Sequence, residues 1–343
     1  MEVPGLERYS LICSGNGIAK FLIAKSIEAE RVDGDEIEKE HKKLKKEFKK
    51  VILEFDENEV DISNLNFPEY SFLHLKADLL KKRLHNCNFC ERKCKVDRYV
   101  KRGFCKCSVE SYYSSEFLHM GEEPELIPSH TIFFNRCTFA CVFCQNYDIV
   151  YEDDYLVNPR EMAKIIEIRF LQGSRNVNFV GGNPDQHAHT IMEILSNVRL
   201  NVPVIWNSNM YHTEELAEVI EDVVDVWLGD FKYGNDKCAE KYSKVKNYWN
   251  VVTRNFKRAY ETGEILLRHL VMPNNLECCT YKIAEWVSKN IPKVRFNMMY
   301  QYRPEFLVSM YPEKWKEIAR RLNREEIKRA MEIAKEFNLN LVE

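Results

Sequence analysis

Thr131-Ile-Phe-Phe-Asn-Arg-Cys137-Thr-Phe-Ala-Cys141-Val-Phe-Cys144 joins an apolar run to three thiols in a CX3CX2C spacing. The apolar run reads as a buried strand, and the thiols follow directly on its C-terminal end. Four thiolates would close a tetrahedral zinc site or saturate an iron–sulfur cluster. Three at this spacing suit a cubane [4Fe–4S] cluster in which one iron lacks a protein ligand and stays open to a small molecule. A structural zinc knuckle is the competing reading of the same residues.

Downstream of this stretch, apolar runs alternate with amphipathic segments. After Thr131–Arg136 the strand candidates are Val177–Gly181, Val202–Asn207, Val223–Phe231, Ile265–Met272 and Val294–Gln301. Helices are expected over 159–172, 186–198, 213–222, 236–261, 278–290 and 324–337. Strands that each lead into a helix make a parallel α/β sheet, either doubly wound or an incomplete barrel. Both architectures place the site at the C-terminal strand ends, where the three cysteines fall.

The region before residue 81 has a different texture. Lys20–Ile27 reads as an apolar helical segment, and Asp35–Phe55 as a charged helix with Ile37, Leu44, Phe48 and Leu53 near one face. Ser14-Gly15-Asn16-Gly17 lacks a full nucleotide-binding pattern and reads as a turn. Three units are expected: an N-terminal helical extension (1–80), a Cys-rich metal-binding segment (81–125) and the α/β unit (126–343).

At 343 residues the chain can bury a full-sized core, and its net charge of -3 names no partner. No stretch approaches 18 apolar residues, and Met1-Glu-Val-Pro-Gly-Leu-Glu-Arg8 lacks the pattern of a secretory leader, so a cytoplasmic protein is expected with no membrane partner. Twelve cysteines in such a chain point to metal or redox chemistry rather than a disulfide framework, and an anaerobic setting would suit them. Eight of the twelve fall between Cys87 and Cys144. Cys13, Cys238, Cys278 and Cys279 are scattered and read as ordinary small packing residues.

Cys87, Cys90, Cys94 and Cys105 form a second group, with Cys107 as a spare. Four ligands saturate a metal, so this centre reads as structural or electron-transferring, with zinc and a second iron–sulfur cluster both open. Ten basic residues surround it, from Lys81 to Lys106, against only Glu91 and Asp97. They read as a solvated face that offsets thiolate charge; a dock for an acidic electron donor or for RNA is the alternative.

Cys87-Asn-Phe-Cys90, Gly103-Phe-Cys105, His119-Met-Gly-Glu-Glu-Pro124, the CX3CX2C loop and Cys144-Gln-Asn-Tyr-Asp-Ile149 follow one another in order. Asp230-Phe-Lys-Tyr233, Lys241-Tyr-Ser243, Arg268-His-Leu-Val-Met-Pro273 and Met299-Tyr-Gln-Tyr302 continue the series. Over residues 85–340 the chain resembles the pyruvate formate-lyase activating enzyme-like, or PflX-like, branch of the radical S-adenosylmethionine (SAM) proteins. The resemblance implies a partial (β/α)6 barrel, a [4Fe–4S] cluster on Cys137, Cys141 and Cys144, and SAM bound at the open iron. Phe143 matches an aromatic near the adenine. Gly181-Gly182-Asn183-Pro184 stands where the superfamily has a Gly-Gly-Glu-Pro-like segment for the SAM amino group; Asn183 keeps a carbonyl acceptor but loses the charge. Asn207, Ser208 and Asp230 match positions around the SAM carboxylate, with Lys232 available as a partner for Asp230. Arg268 and His269 lie on one strand, either of them able to face the site. Glu125-Leu-Ile-Pro-Ser-His130 departs from the family's Gly/Ser-rich stretch.

The implied activity is that of an oxidoreductase which cleaves SAM to a 5′-deoxyadenosyl radical and abstracts hydrogen from a protein, as a glycyl-radical activase does. A reduced flavodoxin- or ferredoxin-type donor would supply the electron. Radical methylation or other C–H modification of protein or RNA is a second reading, and a non-catalytic iron–sulfur electron-transfer or assembly protein a third. Tyr147, Tyr211, Tyr233, Tyr300 and Tyr302 near the expected mouth read as half-buried packing residues rather than a radical relay.

Overall fold

Eight strands form one sheet among the described residues: β1 (Tyr112–His119), β2 (Ser129–Phe134), β3 (Tyr155–Leu156), β4 (Asn176–Gly181), β5 (Val204–Ser208), β6 (Val226–Asp230), β7 (Glu264–Leu270) and β8 (Arg295–Met299). Their order is β3-β1-β2-β4-β5-β6-β7-β8. The structure, a computed structural model, describes residues 3–57 and 65–342. Residues 1–2 and 58–64 of the expected N-terminal extension, and residue 343, lie outside them.

The six parallel strands, β2 and β4 to β8, are those expected from the apolar runs. They are covered on both sides, and all five residues of β5 are buried, which is why these strands read as continuous apolar segments. The sheet is open, so the fold is a mixed α/β partial barrel. β1 and β3 extend it with antiparallel pairing and carry no apolar signal, because their residues are half-buried or exposed.

Four helices precede the sheet: α1 (Glu7–Cys13), α2 (Lys20–Ser26), α3 (Glu36–Glu57) and α4 (Phe72–Arg83). In α3, Ile37, Leu44 and Phe48 are buried, but Leu53 is 61% exposed and departs from the expected face; Val51, Ile52 and Phe55 pack there instead. Within and after the sheet come α5 (Tyr147–Val150), α6 (Pro159–Leu171), α7 (Ala188–Asn197), α8 (Glu214–Ile220), α9 (Asp236–Ser243), α10 (Tyr248–Thr262), α11 (Tyr281–Asn290), α12 (Phe306–Met310) and α13 (Arg324–Glu336). The single helix expected over 236–261 is two. Lys244 and Asn247 adopt left-handed φ of 57° and 50°, which an α-helix cannot contain.

The N-terminal helices dock on the helical layer and the strand starts. Lys76, fully buried on α4, donates to Asp222 at 2.6 Å and to the Val219 carbonyl at 2.9 Å. Lys45 of α3 donates to the same carboxylate at 2.9 Å, and Arg8 of α1 donates to Asp225 at 2.8 Å. Buried charges need such partners. The pairs fix this end of the molecule, away from the C-terminal rim.

Candidate functional site at the sheet rim

The C-terminal ends of β2 and β4 to β8 surround a cavity of about 560 Å³. Its lining contains three thiols, Cys137, Cys141 and Cys144, and no fourth cysteine. All three come from the loop after β2. That loop is clamped by α9: Ala140 N–H donates to the Ser243 carbonyl at 3.1 Å, and Val142 N–H to the Tyr242 carbonyl at 2.8 Å. The Ser243 hydroxyl lies 2.9 Å from Cys141 Sγ and 2.6 Å from the Tyr233 hydroxyl. Arg92 reaches from the Cys-rich segment to the Thr138 carbonyl at 2.5 Å and the Lys244 carbonyl at 2.8 Å, tying the two cysteine loops together.

Burial pushes all three thiols up, Cys144 to about 12, with neighbouring thiols adding to the shift at Cys137 and Cys144. The Lys232 ammonium opposes it at each of them. Burial would pull Lys232 down, but Asp230 and the Cys141 thiol outweigh it, and Lys232 is held above its ordinary value. Lys232 Nζ donates to Asp230 at 2.5 Å, so the carboxylate has the partner its position requires.

Two glycines let β4 close on the cysteine loop. Gly181 has φ of 111°, and a Cβ there would lie 2.0 Å from the Phe134 carbonyl oxygen. A Cβ on Gly182 would lie 1.8 Å from the Arg136 carbonyl oxygen, on the residue before Cys137. No side chain fits in either place. Asn183 follows, buried, its amide nitrogen donating to Gln186 at 3.1 Å and its side-chain oxygen accepting from Asn209 N–H at 3.0 Å. The acceptor noted in the sequence is thus engaged within the wall.

Asn207 and Ser208 line the next face. The Ser208 hydroxyl donates to Asp185, whose carboxylate also accepts from Trp206 Nε1 at 2.8 Å. Phe143 is buried against Tyr302, edge to face at 5.8 Å between centroids, and lines the cavity. Arg268 lines it too, but its guanidinium is committed: Nε and Nη2 each donate to Glu123 at 2.6 Å, and Nη2 also pairs with Glu122. Asn297 donates to the same Glu123 at 2.7 Å. His269 alternates outward, as a strand requires, and bonds the Phe231 carbonyl and the Thr280 hydroxyl.

The sequence alone did not bring Glu122, Glu123, Asn209, Thr138 or Ser243 to this site. Glu122 and Glu123 precede β2 and meet Arg268 from β7, a pairing that no local spacing encodes. Asn209 donates to Thr138 at 2.9 Å, a contact that likewise crosses between separate strands.

In the Cys-rich segment the thiols of Cys87 and Cys94 share a hydrogen bond, which raises Cys87 and draws Cys94 down to about 5. Hydrogen bonding from Cys107 takes Cys105 down to about 6, against the penalty of burial. A Cβ on Gly103 would lie 2.8 Å from Cys94 Sγ, so glycine leaves room for that sulfur. Much of the surrounding basic charge is internally engaged: Arg98 is buried against the Ser108 and Gln186 carbonyls, Arg83 pairs with Glu38, and Arg102 with Asp153.

One expectation fails. Cys238, Cys278 and Cys279 are not scattered: their sulfurs all lie within 4.8 Å of one another. Folding joins residues that are distant in sequence.

A parallel partial barrel whose rim cavity carries three thiols, with no fourth among the described residues, has the donor set that suits a site-differentiated cluster. Residues 131–287 match the radical SAM superfamily, so the chain carries a domain of that superfamily. It is 47% identical over 98% of its length to an uncharacterized protein of Methanocaldococcus jannaschii, covering 99% of that protein. Among solved structures it is similar to Streptococcus suis SuiB bound to S-adenosylmethionine, with 15% identity, a TM-score of 0.47 and coverage of 60% of this chain and 47% of that one. SuiB bound to its precursor peptide SuiA gives 14% identity, a TM-score of 0.49 and coverage of 91% and 66%. The chain therefore spans about half to two thirds of SuiB. The radical SAM match implies a [4Fe–4S] cluster and SAM. The donor set fits: three soft ligands face a cavity, and one metal position would remain for a small molecule.

Proposed function

We propose that this protein is a radical SAM enzyme that abstracts hydrogen from a protein substrate, an oxidoreductase of the activating-enzyme type in the PflX-like branch. The observation that carries the reading is the three-thiol lining of a cavity closed by the Gly181-Gly182 segment. Cys137, Cys141 and Cys144 would hold the [4Fe–4S] cluster. The cluster and SAM, when bound, supply a carbon radical able to take an unactivated hydrogen. The chain's own task is to bind, orient and exclude water. Phe143 offers an apolar wall for the adenine. The backbone at Gly181, Gly182 and Asn183 would hold the amino group, and Asn207, Ser208 and the Asp230–Lys232 pair would hold the carboxylate. Arg268 acts through Glu122 and Glu123, as a positioning residue that holds the β1–β2 connection against the rim.

Cys87, Cys90, Cys94 and Cys105 would form a second metal centre, zinc or iron–sulfur, supported by the paired thiols of Cys87 and Cys94 and by the space Gly103 leaves. A reduced flavodoxin- or ferredoxin-type donor would deliver the electron in the cytoplasm of an anaerobic cell. A macromolecular substrate is supported by the aromatic group beside Cys144, where Tyr147 and Tyr151 stand 39% and 48% exposed. Both rings pack on Phe306, at 5.1 and 5.5 Å.

The test is anaerobic reconstitution with iron and sulfide, reduction by dithionite, addition of SAM and quantification of 5′-deoxyadenosine by mass spectrometry. Wild type is expected to form it and Cys141→Ala to form none. No product from wild type with a verified cluster would overturn the reading.

A further inference from the structure

Cys238 sits in the first turn of α9, where its N–H donates to the side-chain oxygen of the N-cap, Asn235, at 2.8 Å. Cys278 and Cys279 sit on a single π-helical turn, Leu276–Thr280, that leads into α11. The wider turn lets two consecutive side chains face one point, and such turns recur at functional positions. Asn275 opens that turn, and its amide nitrogen donates to the Pro273 carbonyl at 2.7 Å. The amide is thereby oriented with its oxygen toward the sulfurs. Gly234 approaches from the β6–α9 connection so closely that a Cβ would lie 2.6 Å from the Cys278 carbonyl oxygen. Asn235 Nδ2 seals the contact with a 2.9 Å bond to that same carbonyl.

We propose that Cys238, Cys278 and Cys279 bind one thiophilic divalent cation, zinc by preference, with Asn275 Oδ1 facing the fourth position. The edge lengths carry the argument. A tetrahedral ion with metal–sulfur bonds of about 2.3 Å sets its sulfurs about 3.8 Å apart, and an oxygen ligand at about 2.1 Å lies about 3.6 Å from each sulfur. Cys238 and Cys278 Sγ are 3.9 Å apart, and Cys278 and Cys279 Sγ are 3.8 Å apart. Asn275 Oδ1 lies 3.7 Å from Cys238 Sγ and 3.6 Å from Cys278 Sγ. Four of the six edges thus match, and the remaining sulfur pair, Cys238 and Cys279, lies within 4.8 Å. Three thiolates and a neutral amide oxygen select a soft or borderline ion over magnesium or calcium. Cys238 and Cys278 are half-buried, which leaves a path for the ion to enter.

The position has a consequence for the rim. α9 begins at this group and ends at Ser243, whose carbonyl and hydroxyl hold the Cys137–Cys144 loop. An ion here would pin α9 to the start of α11 and so steady that clamp.

The experiment uses the full chain, purified anaerobically, as wild type and as Cys238→Ser and Cys278→Ala. Elemental analysis is expected to show about one equivalent less zinc per chain in each variant, with iron unchanged. Reconstitution with Co(II) in place of zinc is expected to give a thiolate-to-metal charge-transfer band that weakens in both variants. Wild type alone gives a second readout that does not depend on a variant folding. Alkylation of Cys238 and Cys278, mapped by mass spectrometry, should be slow as purified and fast after a zinc chelator. Equal zinc in wild type and variants with chelator-independent alkylation would overturn the proposal, as would recovery of a native Cys238–Cys278 disulfide. Failure of SAM cleavage would leave these readouts unaffected, so the two readings fall separately.

Discussion

The Cys137–Cys144 loop and the Cys238/Cys278/Cys279 group bring thiols together by opposite routes. The loop draws all its sulfurs from eight consecutive residues, and other elements hold it from outside through α9 and the glycines of β4. The second group draws sulfurs from residues 40 apart and needs β6, α9 and the π-turn in place before the sulfurs can meet. Their electrostatics differ accordingly. Burial drives the loop thiols up, and the Lys232 ammonium works against it. In the second group, hydrogen bonding from Cys279 outweighs burial and brings Cys238 down to about 6, while Cys279 itself is raised. The short motif thus needs its neighbours only to be held, whereas the second group needs them to be assembled at all.

The largest expected effect breaks the loop and tests whether it depends on the scaffold around it. Gly182→Ala would set a Cβ 1.8 Å from the Arg136 carbonyl oxygen, a backbone group with no flexible side-chain end to yield. We expect a loss above about 4 kcal/mol, the range of severe backbone or packing conflict. Urea denaturation and iron content would read it together. Wild-type stability with a full cluster would show that the loop does not need this close approach.

Arg268→Ala comes next and probes whether rim charge is structural or reserved for ligand. Its removal leaves Glu122 and Glu123 buried beside each other, at a cost of roughly 3–5 kcal/mol for an uncompensated buried charge. Burial raises the Glu123 carboxyl, but Arg268 and Asn297 together hold it below its ordinary value. A carboxyl depressed in the folded state adds stability above its unfolded pKa, and that stability disappears as pH falls through and below about 4. The wild type should therefore lose more stability than Arg268→Ala on acidification. Parallel urea midpoints for the two proteins across that range would show Arg268 to be dispensable to the acidic pair.

The two cysteine regions also mark how far the sequence could be read. The parallel strands were legible because burial on both faces makes most of their residues apolar. The CX3CX2C loop was legible because its ligands share one short segment. β1 was not, since Tyr112–His119 lies half-buried at the antiparallel side and mixes polar with apolar residues. The break between α9 and α10 was hidden because Lys244 and Asn247 adopt left-handed backbone without a glycine to announce it. Cys238, Cys278 and Cys279 were read as packing residues because only tertiary structure joins them. Arg268 was placed at the rim by its strand, but its acidic partners come from a connection that strand periodicity does not describe.

The smallest expected effect lies where the two regions meet, at Ser243. Ser243→Ala keeps the carbonyl that accepts from Ala140 and removes only the hydroxyl between Tyr233 and Cys141. The stability cost should be about 1 kcal/mol, that of one buried hydrogen bond, and a thermal melt would read it. A merely structural hydroxyl would do nothing more. A hydroxyl that donates to a cluster-ligating sulfur stabilises the reduced, more negative cluster, so its removal should also lower the cluster's reduction potential. Zinc bound by Cys238, Cys278 and Cys279 should be unchanged, because α9 keeps its backbone contacts at both ends. A melt that shifts while the potential stays fixed would make Ser243 part of the clamp alone. A shift in both would mean that the helix beginning at one cysteine group tunes the chemistry of the other.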